Sequence, residues 1–171
     1  MTVDATQFRQ LMARWATGVT VVTAHEQGRD YGMTVNAFLS ISLKPPSLLI
    51  SLGVEAETTP AIERTRRFAV NVLAESQREV SVRFANTIPS AEKFGSLPFH
   101  RGRGDVPLLD SAIARFECDV RTSWRSTDHL VFVGDVMALS PGADDPPLLF
   151  YHANYAAVEH SGVEKASRSE P

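Results

Sequence analysis

Cysteine is almost absent from this sequence: Cys118 is the one cysteine among 171 residues. A single thiol cannot form an internal disulfide or a cysteine-rich zinc site, and this usage is typical of proteins from a reducing compartment. Long apolar runs are absent too, since no stretch of about 18 consecutive apolar residues occurs. We therefore expect a cytoplasmic protein without a membrane-spanning segment.

Neither positive nor negative charge predominates in the sequence. The formal net charge is −3, charged residues make up 22% of the chain, and no basic stripe is visible. Proteins that bind nucleic acids concentrate lysine and arginine on one face to contact phosphates. The charge distribution therefore argues against a nucleic-acid partner.

Common catalytic motifs are missing as well. The sequence contains no G-x-G-x-x-G, G-x-x-x-x-G-K-[ST], H-E-x-x-H or G-x-S-x-G, which argues against a Rossmann site, a P-loop, a zinc protease and a serine hydrolase. The five histidines are scattered, so we predict no metal site. Cys118 falls on the apolar face of an alternating segment, where a thiol stays protonated and unreactive.

The remaining composition is that of a globular protein. Hydrophobic residues make up 43% of the chain, which is enough for a packed core. The length favours one domain, and we assign residues 1–160 to it. Residues 161–171 are polar and are expected to form a disordered tail.

Alternating and β-branched segments indicate a mainly β protein with short helices. Strands are predicted at residues 19–24, 31–38, 47–52, 67–73, 114–121, 129–139 and 147–152. The first two form a hairpin around Gly28, and Gly134 is expected to be a bulge. Short connections favour antiparallel pairing, and these strands together predict a closed or nearly closed β-barrel.

Three helices are expected beside the strands. The first has apolar residues at helical spacing, namely Phe8, Leu11, Met12 and Trp15. Gly18 is expected to end it. Thr59 before Pro60 predicts a second helix with Thr59 as its N-cap, and residues 76–79 match a capping box for a third. Residues 86–107 show little periodicity and are predicted to form a long, functional loop.

Residues 32–46, GMTVNAFLSISLKPP, combine an apolar strand with several polar groups. Hydroxyls occur at Thr34, Ser40 and Ser42, and Asn36 adds an amide. One interpretation is that these are ordinary strand side chains bonded to backbone. The other is that they serve a flat ligand, which needs an apolar wall and a few fixed donors and acceptors.

Segments along nearly the whole chain point to the second interpretation. They are RWATGVTVVTA, GMTVNAFLSISLKPPSLLISLG, RFAVNVLAESQ, RFA, PLLDSAIARFECDV, DHLVFVGDV and PLLFYHANY. In this order they resemble the short-chain flavin reductases, the reductase components of two-component flavin-dependent monooxygenases. The resemblance extends from Phe8 to Tyr155. It implies an FMN-binding split β-barrel that forms a homodimer.

The resemblance also implies an activity. NADH or NADPH would reduce FMN or FAD by hydride transfer, and the reduced flavin would diffuse to a separate monooxygenase. The implied flavin contacts are Met33, Thr34, Val35, Asn36, Ser40, Ser51, Leu52, Gly53, Ala56, Thr58, Thr59, Phe84, Ala85, Lys93 and Phe94. The implied nicotinamide contacts are His152, Ala153, Asn154 and Tyr155.

His129 is the implied catalytic residue, because it matches a family histidine that faces the nicotinamide. The family motif is Gly-Asp-His, and here Thr127 stands in place of the glycine before Asp128. If that glycine takes a positive φ, threonine would adopt the same backbone only with strain.

Two other functions remain open from the sequence. One is a split-barrel protein that binds flavin or haem without turnover. The other is an enzyme like pyridoxamine-phosphate oxidase, although basic residues for a pyridoxal phosphate are sparse near the hydroxyl-rich strand. The pair Asp128-His129 and the segment FYHANY favour the reductase, because a flavin store needs no nicotinamide site.

Overall fold

The computed structural model describes residues 3–158, so the predicted tail, residues 161–171, lies outside the described residues. The helices are α1 (Ala5–Met12), α2 (Thr58–Thr65), α3 (Arg78–Ala85) and α4 (Ser90–Phe94). The strands are β1 (Thr17–Gly18), β2 (Thr20–Glu26), β3 (Arg29–Val35), β4 (Phe38–Leu43), β5 (Pro46–Gly53), β6 (Arg67–Val72), β7 (Phe99–Arg101), β8 (Pro107–Leu109), β9 (Ala114–Ser126), β10 (His129–Pro141), β11 (Leu149–Tyr151) and β12 (Asn154–Ala156). This content confirms the prediction of a mainly β protein with short helices.

Seven antiparallel strands form the central sheet, in the order β3-β2-β6-β9-β10-β5-β4. The predicted hairpin of β2 and β3 is present, and Gln27 and Gly28 at its turn both have positive φ. Within residues 3–158, β3 and β4 are the two edges of this sheet and do not pair with each other. The predicted closure of the barrel is therefore not shown. Strands β1, β11 and β12 form a second sheet, and β7 pairs with β8.

Two apolar clusters share strand β2. Val22 belongs to the cluster that contains Phe68 and Phe132, whereas Val21 belongs to the cluster that contains Phe84. Successive side chains of a strand point to opposite faces, so β2 is buried on both faces, as its β-branched composition suggests. Because Phe84 comes from α3, the second cluster attaches that helix to the sheet.

Helix α1 differs from the prediction in its end and in its packing. Its N-cap is Asp4, whose carboxylate accepts a hydrogen bond from the Gln7 N–H at 2.9 Å. The helix ends at Met12, and Gly18, the expected stop, belongs to β1. Its predicted apolar residues are exposed: Phe8 57%, Leu11 57%, Met12 50% and Trp15 70%. The apolar face of α1 therefore does not pack on the core of this chain.

Two predicted caps are wrong. Helix α2 begins at Thr58 after Glu57 without a side-chain cap, and the Thr59 hydroxyl instead donates to the Gly53 carbonyl at 2.7 Å. The capping box at residues 76–79 is also absent, because the 3-10 helix Glu75–Gln77 precedes α3 there. The hydrogen bond at that start runs from the Ala74 N–H to Gln77 Oε1, at 2.9 Å.

Three segment boundaries also need correction. Residues 86–107 are not one loop, since they contain α4, β7 and a 3-10 helix at Arg103–Asp105. The strand expected over residues 31–38 is divided between β3 and β4. The last predicted strand, residues 147–152, overlaps β11, which forms a small hairpin with the later β12, and the turn residues His152 and Ala153 have positive φ.

A bulge is present at the position expected, but its extra residue lies on the strand opposite Gly134. Val133 pairs with Thr122 but Gly134 pairs with Val120, so Arg121 is the extra residue on β9. No helix among residues 3–158 is long and apolar enough to cross a membrane.

Candidate functional site

A cavity of about 570 Å³ lies between β3, the turn that precedes α2, the end of α3 and the segment that leads into α4. Several of the implied flavin contacts line it: Met33, Thr34, Ala56, Thr58, Phe84, Ala85 and Lys93. Its volume is within the range of small-molecule and cofactor sites. The structure therefore brings together residues from three separate parts of the sequence.

Thr34 presents a hydroxyl with a fixed direction. Its Oγ1 donates to the carbonyl oxygen of Ser81 in α3 at 2.6 Å. A threonine hydroxyl has one proton and two lone pairs. Because the proton is used within the protein, the oxygen has only acceptor capacity left for a ligand in the cavity.

Phe84 also borders the cavity, but its ring is packed within the protein. It is 1% exposed and meets Phe94 edge-on, with the ring centroids 5.1 Å apart. Phe94 is 4% exposed and does not line the cavity. The structure thus gives Phe94 a supporting position behind Phe84, whereas the resemblance implied a flavin contact.

Lys93 is a buried cation beside the cavity. Lys93 is 8% exposed. Its Nζ donates to the carbonyl oxygen of Gly32 at 3.3 Å and to that of Phe84 at 3.2 Å. Burial lowers the pKa of this amine below its ordinary value, while the nearby Glu57 carboxylate raises it. An ammonium has three N–H donors, so one remains for a ligand.

Glu57 connects two elements at the rim of the cavity. Its Oε2 accepts a hydrogen bond from the Ser90 N–H, the first amide of α4, at 3.0 Å. This backbone hydrogen bond is the main reason that the pKa of Glu57 lies below its usual value. The contact fixes α4 against the turn before α2.

Other implied flavin contacts do not line this cavity. Val35 and Leu52 are in the core, at 5% and 1% exposed, and Ser40 is exposed on β4. Asn36 borders a separate groove of about 510 Å³ with Trp15 and other residues. Thr34 and Asn36 separate because β3 ends at Val35 between them.

Ser51, Gly53 and Thr59 do not line the cavity. Ser51 and Gly53 belong to β5, and the Gly53 carbonyl accepts the Thr59 hydroxyl at 2.7 Å. This hydrogen bond closes the turn that carries Ala56 and Thr58 into the cavity. Gly53 and Thr59 therefore shape the rim, whereas Ser51 lies within the central sheet.

His129 begins β10 directly opposite Gly53. Its Nδ1 donates to Asp128 Oδ1 at 2.8 Å, and its side chain is 48% exposed. This hydrogen bond is the largest cause of the lowered pKa of Asp128, followed by the one from the Thr127 hydroxyl. The imidazole is thus held at the far end of the turn that shapes the cavity.

Thr127 does adopt the backbone expected of a glycine, with φ of +56°. Its carbonyl accepts from Arg125 Nε at 3.0 Å, and its hydroxyl donates to Asp128 Oδ1 at 3.1 Å. The Asp128 carbonyl accepts from the Val54 N–H at 3.0 Å. These bonds hold the turn in a left-handed conformation that is costly for a β-branched residue.

The implied nicotinamide residues form the β11–β12 hairpin. The His152 N–H donates to the Ala13 carbonyl at 2.7 Å, and Asn154 Nδ2 donates to the His152 carbonyl at 2.8 Å. Ala153 borders a groove with Trp15 and Phe8. None of the four residues, Tyr155 included, lines the flavin-sized cavity.

Sequence reasoning missed Glu57, Ser81 and Ser90. Pro89 followed by SAEKF, a run of mostly good helix formers, could have indicated α4 and hence Ser90. The contacts of Glu57 and Ser81 span 33 and 47 residues, and no local pattern signals them.

Two expectations about reactive groups can be compared with the structure. Burial raises the pKa of the Cys118 thiol to about 12, which fits the unreactive cysteine that the sequence indicated. Among residues 3–158, no group of three or more His, Cys, Asp or Glu side chains could hold a metal ion.

Comparisons with known proteins show the family of this chain. Residues 12–159 match the model of the flavin reductase like domain. The NADH-dependent flavin reductase StyB of Pseudomonas fluorescens is 38% identical over 156 residues, which cover 90% of this chain and 89% of StyB. The flavin-dependent monooxygenase reductase subunit HsaB of Rhodococcus jostii is 32% identical over 157 residues, 92% of this chain and 80% of HsaB.

A solved structure gives the same result. The NADH:FAD oxidoreductase SgcE6 of Streptomyces globisporus, in complex with NAD and FAD fragments, superposes with a TM-score of 0.87 at 29% identity. The match covers 95% of this chain and 99% of SgcE6. The resemblance inferred from the sequence is confirmed, and with it the prediction of a flavin oxidoreductase. The chain belongs to the flavin reductase-like family.

Proposed function

We propose that this enzyme uses NADH to reduce FAD or FMN and releases the reduced flavin to a separate monooxygenase. The observation that carries the proposal is the cavity of about 570 Å³ lined by Met33, Thr34, Phe84 and Lys93. NADH is preferred because StyB is named as NADH-dependent, and the monooxygenase partner because HsaB is named as a reductase subunit. Cytoplasmic NADH would supply the hydride, so we place the enzyme in the cytoplasm.

The residues of the cavity fit a flavin. Met33 offers apolar surface for a flat ring, and Thr34 offers an acceptor for one of its N–H or O–H groups. The remaining N–H of Lys93 suits an anionic or carbonyl oxygen. A bound flavin supplies the chemistry, which is acceptance of a hydride from a dihydronicotinamide.

The protein's own contribution is to orient the two cofactors and exclude water. We propose that His129 contacts the nicotinamide carboxamide and that Asp128 fixes the direction of its ring through the 2.8 Å hydrogen bond. Hydride transfer moves a hydrogen with both bonding electrons directly between the two cofactors. The pair Asp128-His129 therefore has to position the nicotinamide and does not have to transfer a proton.

His129→Ala provides a test of that role. We expect the KM for NADH to rise severalfold, or kcat to fall, while the flavin Kd stays within about twofold. Steady-state kinetics at saturating flavin and fluorescence titration of flavin separate the two effects. His100→Ala is a matched control, because His100 also bonds a carboxylate, Asp110 at 2.6 Å, but lies on β7. An equal loss of flavin affinity in His129→Ala would contradict the assignment.

We also propose that two copies form the split-barrel homodimer implied by the family. In one copy, apolar side chains of α1, of Trp15 after it and of β4 are exposed, at 70% for Trp15 and 82% for Leu43. Exposed apolar surface of this extent marks an interaction site. The proposed domain comprises residues 1–160.

The principal experiment follows NADH absorbance after purified protein is mixed with excess free flavin. We expect many turnovers per protein, with saturable dependence on flavin concentration, because the flavin enters and leaves as a substrate. Parallel assays with FMN, FAD, NADH and NADPH define the specificity. Tight flavin binding without NADH consumption would instead support the store without turnover.

A further inference from the structure

We infer that Tyr155 is a positioning residue for the flavin cavity, acting through Ser81 on Thr34, and not a nicotinamide contact. The inference rests on the proposed function, since it assumes that the cavity beside Thr34 binds flavin. Three hydrogen-bonding residues from β12, α3 and β3 carry it.

The first contact joins the β11–β12 hairpin to α3. The Tyr155 hydroxyl lies 2.9 Å from Ser81 Oγ. The tyrosine ring is held from two sides, since Phe150 meets it edge-on at 5.6 Å and the Arg78 guanidinium lies 5.2 Å from its centroid. The hydroxyl is therefore presented to Ser81 by a packed ring and not by a free side chain.

The second contact joins α3 to the cavity. Ser81 is fully buried, and its carbonyl oxygen accepts the Thr34 hydroxyl at 2.6 Å. Ser81 thus bonds β12 through its side chain and β3 through its backbone. A shift of α3 at this residue would move the acceptor on which the Thr34 proton depends.

The consequence concerns what Thr34 can offer a ligand. With its proton donated to Ser81, the hydroxyl presents lone pairs only and accepts from a flavin N–H or O–H. If the acceptor moved, the hydroxyl could rotate and lose this fixed polarity. Flavin affinity should therefore depend on the Tyr155 hydroxyl, although Tyr155 does not line the cavity.

Tyr155→Phe tests the inference by removing the hydroxyl and keeping the ring. We expect the flavin Kd to rise about threefold to tenfold, the range expected for one hydrogen bond. The KM for NADH at saturating flavin should stay within about twofold. Tyr151→Phe is the matched control, because no hydrogen bond of the Tyr151 hydroxyl occurs among the described residues. An increased KM for NADH with unchanged flavin Kd would overturn the inference in favour of a nicotinamide contact.

A double-mutant cycle with Ser81→Ala tests the route. This substitution removes the hydroxyl that Tyr155 contacts but keeps the carbonyl that Thr34 contacts. If Tyr155 acts through Ser81, Tyr155→Phe should have no further effect on flavin Kd in the Ser81→Ala background. Additive effects would overturn the route.

A spectroscopic measurement distinguishes positioning from a general loss of stability. The visible circular dichroism of saturated flavin should change in Tyr155→Phe and in Ser81→Ala but not in Tyr151→Phe, because it reports the surroundings of the ring. An unchanged spectrum in both variants would contradict the inference. The proposed function fails separately, through absence of NADH oxidation by the wild-type protein, and the flavin titrations do not depend on that activity.

Discussion

At the scale of single residues, Gly32 is a position where β3 approaches α3 closely. A Cβ atom there would lie 2.5 Å from Cε1 of Phe84 and 3.3 Å from Cζ of Phe94. Phe84 cannot move aside, because it is 1% exposed and packs against Phe94. Glycine is therefore needed for the close approach of β3 to α3.

Gly32→Ala should shift Phe84 and distort the wall. We expect a loss of about 1–3 kcal/mol in the free energy of unfolding, as for other overpacked cores, and weaker flavin binding. Chemical denaturation and flavin titration measure both effects. Gly18→Ala is the control, since a Cβ at Gly18 meets nothing within 4 Å. Wild-type stability together with wild-type flavin affinity in Gly32→Ala would contradict this account of the wall.

The same scale shows what a local pattern can predict. Thr34 and Asn36 are both polar and have the same strand parity, and the resemblance placed both at the flavin. Thr34 lines the cavity and Asn36 does not, because β3 ends at Val35. The sequence indicated the segment that contains site residues, but the strand end that separates them depends on tertiary pairing.

At the scale of elements, α4 is the feature that the sequence did not predict. It has five residues, and a helix of that length is unstable in isolation. Contacts from other elements hold it: Glu57 accepts the Ser90 N–H, and Lys93 bonds the Gly32 and Phe84 carbonyls. Propensity alone cannot reveal a helix that depends on partners from distant segments.

Glu57→Ala should loosen α4 and lower the stability of the protein. The folded pKa of Glu57 lies below its ordinary value of 4.5, mainly because of the Ser90 N–H. The ionised form is thus favoured in the folded state, so its stabilising contribution is present above pH 4.5 and is lost as pH falls through the lowered folded pKa. The stability difference between Glu57→Ala and wild type should therefore be present near neutral pH and shrink on acidification.

Hydrogen exchange at residues 90–94 and denaturation at several pH values check this expectation. Glu55→Ala is the control, because Glu55 lines the same cavity but its carboxylate makes no hydrogen bond among the described residues. A stability difference that did not change with pH would show that the carboxylate charge at residue 57 is not the cause.

At the scale of the whole molecule, most strands of the central sheet were predicted, whereas their predicted closure into a barrel is not shown. Alternating apolar residues predicted β9 and β10, and both are present, extended beyond the predicted ends. The amphipathic pattern of α1 predicted the helix but not its partner, since its apolar face points away from the core of this chain. Amphipathic spacing in a sequence indicates that one face of a helix is apolar. It does not indicate whether that face is buried by the same chain or by a second copy of it.

Trp15→Glu should weaken the proposed homodimer. Trp15 is 70% exposed in one copy and borders the groove that also contains Phe38 and Leu39. Loss of a large aromatic contact at an interface, with a charge in its place, should raise the dimer Kd roughly tenfold or more. Analytical ultracentrifugation over a range of protein concentrations measures this change.

Val82→Glu introduces the same charge at an exposed apolar residue of α3 and should sediment as the wild type does. A wild-type protein that stayed monomeric, or a Trp15→Glu variant that dimerised as tightly as wild type, would contradict the assignment of Trp15 to the interface.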